Sequence, residues 1–193
     1  FDKEEAAALP DTCTVYQSCH LPVQGVPEQF PTSRTAIVRC IEEIVRTEAP
    51  VSRHLVLKKV IAAWGINRSS SKAERVFDEA AAVSELRITE SNGMKFFWRI
   101  DQKPMEYAFC RIPDSTEKRS MEDICAEEIA NGVMCVLRTQ ISASRADLIR
   151  ETAKLFGYSR SGGVIETAVN AGINWAASRG LLTAEGDRVV LKD

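Results

Sequence analysis

The sequence predicts a mainly α fold with small β-hairpins, organised as tandem winged-helix (helix-turn-helix) repeats. Three observations carry that prediction. The stretch Trp64–Arg75, WGINRSSSKAER, returns 92 positions later as FGYSRSGGVIET, Phe156–Thr167. Gly65 falls on Gly157, Arg68 on Arg160, Ser69 on Ser161 and Glu74 on Glu166, and upstream Ser52-Arg53 falls on Ser144-Arg145. Such self-similarity at a fixed offset marks an internal duplication. Apolar residues recur at helical spacing in both copies, and each copy closes on two strand-like runs around a turn.

The predicted organisation follows the chain. Residues 1–33 form an extended N-terminal segment or linker, acidic and alanine-rich at first, then punctuated by Pro10, Pro22, Pro27 and Pro31. Proline fixes φ and removes an amide donor, so this stretch does not continue a helix. Repeat 1 spans 34–100. Ile37, Ile41, Ile44 and Val45 give a first helix that stops before Pro50. Ser52 caps a second helix whose apolar face is Leu57, Val60, Ile61 and Trp64, and Gly65 ends it. Ser71 and Glu74 make a capping-box pattern for a third helix, with Ala73, Val76, Phe77 and Ala80 inward. Leu86–Glu90 and Met94–Arg99 flank Asn92-Gly93, a hairpin signal.

Residues 101–120 are a connector in which Tyr107, Phe109 and Ile112 alternate as a short strand, followed by a turn at Pro113–Thr116. Repeat 2 spans 121–193. Ile129, Val133 and Val136 line its first helix, Ser144 and Asp147 cap its second, and Ile165, Ala168 and Val169 face inward from its third. Leu181–Thr183 and Arg188–Leu191 close it around a turn at Ala184–Asp187.

Net charge is −2 over 193 residues, unevenly spread. Residues 34–100 carry twelve Lys/Arg against eight acids, a net of +4, while 121–193 carry eight against ten, a net of −2. No run of 18 apolar residues predicts a membrane span. The chain begins with Phe rather than Met, which suggests a fragment of a larger protein. Six cysteines in an α-rich chain with no secretory signal read as reduced thiols, hence a cytoplasmic location. Cys13, Cys19 and His20 are the only grouping that resembles metal ligands. A structural zinc site takes four ligands, usually in close pairs, and no second pair is present, so neither a metal nor another cofactor is expected.

The order R-T-E-A-P-V (46–51), W-G-I-N-R (64–68), F-F-W-R (96–99) and G-Y-S-R (157–160) resembles an uncharacterised bacterial domain family. That family is similar to the C-terminal module of large proteins joining a superfamily I helicase-like motor to a restriction-endonuclease-like segment. The resemblance extends from about Tyr16 onward. It implies a context, a larger parent protein, and supplies no catalytic residues.

Catalytic patterns are missing as well. His20 and His54 are remote in sequence, Ser161-Gly162-Gly163 lacks the Lys-Ser/Thr of a phosphate loop, and Glu42-Glu43, Glu122-Asp123 and Glu127-Glu128 read as solvated helix faces or dipole-compensating charges. The expected function is therefore non-catalytic, with no membrane and no small-molecule substrate. In helix-turn-helix proteins the third helix enters the major groove by its N-terminal residues. Here that end offers Arg68, Ser69, Ser70, Lys72 and Arg75, and the wing adds Lys95 and Arg99. Hydroxyls, cations and free amides all suit phosphate oxygens. The expected partner is DNA, for an accessory module of a larger helicase/nuclease-like protein. The alternative is a protein-interaction or scaffold module, which the pI near 5.8 favours. The recurrence of Arg68 as Arg160 also leaves a structural role open, bonding carbonyls at the preceding helix end.

Overall fold

The computed structural model describes residues 12–192, so the acidic start of the chain lies outside the described residues. In chain order the elements are β1 (Cys13–Val15), a 3-10 turn (Pro27–Thr32), α1 (Arg34–Glu48), β2 (Val51–Ser52), α2 (Arg53–Ala62), α3 (Ser71–Ala81), β3 (Leu86–Ser91) and β4 (Met94–Arg99). Then come β5 (Cys110–Ile112), α4 (Ala126–Gln140), β6 (Ser142–Ser144), α5 (Arg145–Leu155), α6 (Gly163–Ser178), β7 (Leu182–Glu185) and β8 (Arg188–Leu191). The class is mixed α/β: helix-rich, with small sheets ordered β2-β4-β3, β6-β8-β7 and β1-β5 among the described residues.

The chain folds as two compact units that interleave in sequence. One holds residues 17–107 and 119–125; the other holds, of the described residues, 12–16, 108–118 and 126–192. In the first unit α1 turns Ile37, Cys40, Ile41, Ile44 and Val45 inward, each at most 4% exposed. Five side chains at helical spacing make one continuous apolar stripe, and its burial is the main driving force for this helix. The chain leaves α1 at Ala49, which is extended as a residue before proline must be. Phe30 from the N-terminal segment meets Trp64 edge-on at 5.3 Å, so residues after Tyr16 belong to this core rather than to a free linker. Phe77 of α3 stacks on Phe97 of β4 at 6.4 Å. The other face of β4 presents Phe96 and Trp98, covered by Tyr107 and Cys125.

The 92-residue offset holds in the sheets, with one exchange of length. Val51 and Ser52 pair with Phe97 and Phe96; at the same offset Ala143 and Ser144 pair with Val189 and Arg188. Between those anchors, however, α6 has 16 residues where α3 has 11, and β7 and β8 have four residues each where β3 and β4 have six. The longer helix is offset by the shorter hairpin, so the last strand returns to register. The second hairpin turn is accordingly Gly186-Asp187, with Ala184 and Glu185 in the strand rather than in the expected turn. Asn92 and Gly93 both have positive φ, as a type I′ turn requires.

Gly65 and Gly157 both adopt positive φ, at 73° and 86°. In each, the glycine N–H bonds the carbonyl three residues back (Ala62, Lys154) and the next N–H bonds the carbonyl five back (Ile61, Ala153). This is the Schellman closure of a helix. The caps at the starts of α2 and α5 are also as expected, Ser52 accepting from Leu55 N at 3.0 Å and Ser144 from Asp147 N at 3.1 Å. The cap of α3 is not. Ser70, not Ser71, accepts from Ala73 N at 3.2 Å, while Glu74 takes the hydroxyl of Ser69 at 3.1 Å. Three consecutive serines offer equivalent caps, and burial of Ala73, Phe77 and Ala80 sets the register among them. Replacing Ser70 with Ala should cost about 1 kcal/mol in chemical denaturation, and Ser71 with Ala much less.

One expectation for the middle of the chain also changes. The connector does contain a strand, but it is Cys110–Ile112, paired in parallel with β1. Tyr107 instead packs edge-on against Trp98 at 5.3 Å, and Phe109 is 48% exposed. The turn after it forms as read, with Asp114 Oδ1 accepting from Thr116 N, Thr116 Oγ1 and Glu117 N. Those three donors hold the Asp114 carboxyl below the usual carboxylate range.

Candidate nucleic-acid interface

The turn between α2 and α3 is built by closure of one helix and capping of the next. Trp64 and Ala63 are buried beneath it, while Asn67 through Lys72 are exposed. Arg68, Lys72 and Arg75 stand here with no ion pair and no hydrogen bond among the described residues, so Arg68 does not bond the carbonyls that close α2. Lys72 and Arg75, three apart on α3, share one face.

The other expected residues are differently placed. Ser69 donates to Glu74 and Ser70 caps α3, so both hydroxyls are engaged locally. Lys95 on β4 sits directly opposite Glu90 of β3. Arg99 donates to Asp101 through Nε at 3.1 Å, and that contact holds the Asp101 carboxyl below its usual range. Among the cations of residues 34–100, Arg46, Arg53, Lys59 and Arg99 have carboxylates within pairing distance. Of the eight other cations in this stretch, three stand together around the start of α3.

The arginine that repeats for structural reasons is Arg53. It makes a two-point contact with Asp78 on α3, both bonds at 2.8 Å, and lies over the Phe77 ring. Its counterpart Arg145 reaches Asn170 on α6, at 2.5 Å, which is Asp78 moved by the same 92 positions. In both copies this arginine ties the start of one helix to the middle of the next. At the second turn, Lys118 lies over the Tyr158 ring at 4.2 Å and donates to the carbonyl of Gly157. Position 164, the counterpart of Lys72, is an exposed valine.

Three carboxylates that read as solvated are buried instead. Asp123 is 6% exposed and accepts from the Ser52 hydroxyl, with His54 Nδ1 3.2 Å away. Serine, histidine and aspartate thus come together, but the carboxylate sits between the other two. A nucleophilic serine needs the imidazole on its hydroxyl. Here Ser52 gives its proton to Asp123 while accepting the Leu55 amide, so its oxygen serves as an anchor. Glu128 is fully buried and takes Arg111 through N, Nε and Nη2 at 2.9, 3.1 and 2.6 Å; Glu127 is 6% exposed. Glu48, also fully buried, accepts from Lys59 Nζ and from Cys19 N. For Asp123, Glu128 and Glu48 the partner lies 11 to 71 residues away, beyond any helical or strand period.

Cys13 and Cys19 fall in different units, and His20 is exposed. All six cysteines are free thiols. Among the described residues, no helix is long and apolar enough to cross a membrane.

Residues 29–74 match a family model described as a protein of unknown function (DUF3320). No curated protein matches the chain. The matched stretch runs from the 3-10 turn through α1 and α2 into the first turn of α3. It takes in Arg68, Ser69, Ser70 and Lys72 and stops one residue short of Arg75.

Proposed function

We propose that the chain is a non-catalytic DNA-binding module made of tandem winged helices, and that it serves a larger helicase- or nuclease-like protein. The carrying observation is the set of three unpaired, exposed cations, Arg68, Lys72 and Arg75, around the N-terminus of α3. Phosphate binding is driven by cations that release condensed counterions, and a cation already held by a carboxylate contributes less. The helix N-terminus adds partial positive charge at the same place. Lys95 and Arg99 take a minor part in this reading, because each faces an acid.

Titration of a fluorescently labelled duplex at two salt concentrations tests it. Changing Lys72 and Arg75 to Ala should weaken binding at low salt by about 1–3 kcal/mol in total. The slope of log K against log salt should fall by roughly one unit for each phosphate no longer neutralised. The matching change at Arg150 and Lys154 should do little, because those side chains are already paired with Asp147 and Glu151. Wild-type affinity no better than millimolar at low salt would overturn the reading.

In that event the interaction-module reading takes over. The second copy favours it: Val164 and Ile141 are 52% and 72% exposed, and the position of Lys72 has lost its charge there. A division of work between the copies accommodates both observations, with one copy on a polyanion and the other on the parent protein.

A further inference from the structure

We propose that Cys13 and Cys135 form a peroxide-responsive dithiol site that closes to a disulfide between β1 and α4. Three thiols converge there from separate elements: Cys13 on β1, Cys110 opposite it on β5, and Cys135 on α4. The sulfurs of Cys13 and Cys135 are 3.4 Å apart, and Thr12 Oγ1 is 3.3 Å from Cys135 Sγ. A disulfide needs about 2 Å, so the two sulfurs have only to close about 1.4 Å.

The three thiols are not equivalent. Cys13 is brought down to about 6, chiefly by the hydrogen bond from Cys110, with Cys135, Thr12 and the Arg138 cation acting in the same direction. Cys110 is pushed well up by that same bond and by burial, with Glu128 adding to it, and Cys135 is raised mainly by burial. The groups facing Cys13 are thus Cys110 from β5 and Cys135 and Arg138 from α4. At neutral pH Cys13 is the thiolate, and the thiolate is the nucleophile. All three thiols are buried, and of the two that keep their protons Cys110 holds its own more firmly, which leaves Cys135 to resolve.

The chemistry balances with a hydroperoxide as oxidant. The Cys13 thiolate attacks one peroxide oxygen; the S–O bond forms, the O–O bond breaks, and hydroxide leaves and takes up a proton as water. Cys135 then attacks the Cys13 sulfur. The S–S bond forms, the S–O bond breaks, and the hydroxyl leaves with the Cys135 proton as a second water. Two thiols are oxidised by two electrons and the peroxide is reduced.

The test treats the full reduced chain with hydrogen peroxide and counts thiols after denaturation. Free thiols should fall from six to four, with peptide mass mapping joining Cys13 to Cys135 within one chain. The rate should rise with pH to half its plateau near 6, where an ordinary thiol reaches half near 8.5. Cys13→Ser and Cys135→Ser should each abolish the cross-link, and Cys40→Ser should leave it intact. Six thiols surviving peroxide, a bond mapped to Cys13 and Cys110, or a bond only between chains would each overturn the proposal. The mapping on unsubstituted protein decides this even if a serine variant folds poorly.

Discussion

Replacing Arg111 with Met is expected to destabilise the chain by about 3–5 kcal/mol, the cost of leaving a buried carboxylate without its cation. Glu128 is fully buried, and three Arg111 donors reach its two oxygens between 2.6 and 3.1 Å. Met keeps most of the volume and the backbone N–H bond, so the substitution isolates the guanidinium. Differential scanning calorimetry should register a midpoint lower by roughly 10 °C or more, for a unit of this size. Adding Glu128→Gln to the same chain should recover much of the stability, because a neutral amide oxygen still accepts the Arg111 backbone N–H and leaves no charge buried. If the single and double variants are equally unstable, the side chains matter for packing and the ion-pair account fails.

Gly172→Val is expected to cost about 2–3 kcal/mol, by a different mechanism. A Cβ at Gly172 would stand 2.5 Å from Ile129 Cγ2 and 3.0 Å from the Ala130 backbone nitrogen. The second contact is with backbone, so α4 and α6 must separate to admit it. Removing a helical glycine ordinarily helps by up to about 1 kcal/mol, and here the clash exceeds that gain. Gly163, on the same helix with nothing within 4 Å of its Cβ position, provides the control. Gly163→Ala should stabilise slightly in urea titrations, and matching signs at the two positions would refute the close-packing account.

Both effects come from residues whose importance the sequence conceals. Helices α1, α2 and α5, the glycine closures at 65 and 157 and the Asn92-Gly93 turn were legible, because each depends on neighbours within five positions. The cap of α3 was legible only as a serine run, since three equivalent hydroxyls give no register until the buried face is known. The acids at 123 and 128 look solvated in sequence because adjacent carboxylates usually are; only a partner brought from afar, Ser52 and Arg111 respectively, justifies burying them. Arg68, Lys72 and Arg75 could be named from their position at a helix start, whereas the engagement of Ser69, Ser70 and Arg99 depended on side-chain geometry. The three-thiol cluster had no local signature, with 122 positions separating Cys13 from Cys135.

The parallel pairing of β1 with β5 also sets an order of events during synthesis. Cys13 leaves the ribosome before its strand partner Cys110, which is 97 positions behind. At about 5–20 residues per second, β1 waits roughly 5–20 s before the strand it completes has been made. Residues 17–107 are translated in that interval, and most of one compact unit can form while the opening strand of the other is still unmatched. Until then β1 is an open edge whose thiol is still an ordinary one, because the Cys110 and Cys135 contacts that lower it have not been made. Any nascent chain that pauses between those points is most exposed to mispairing there.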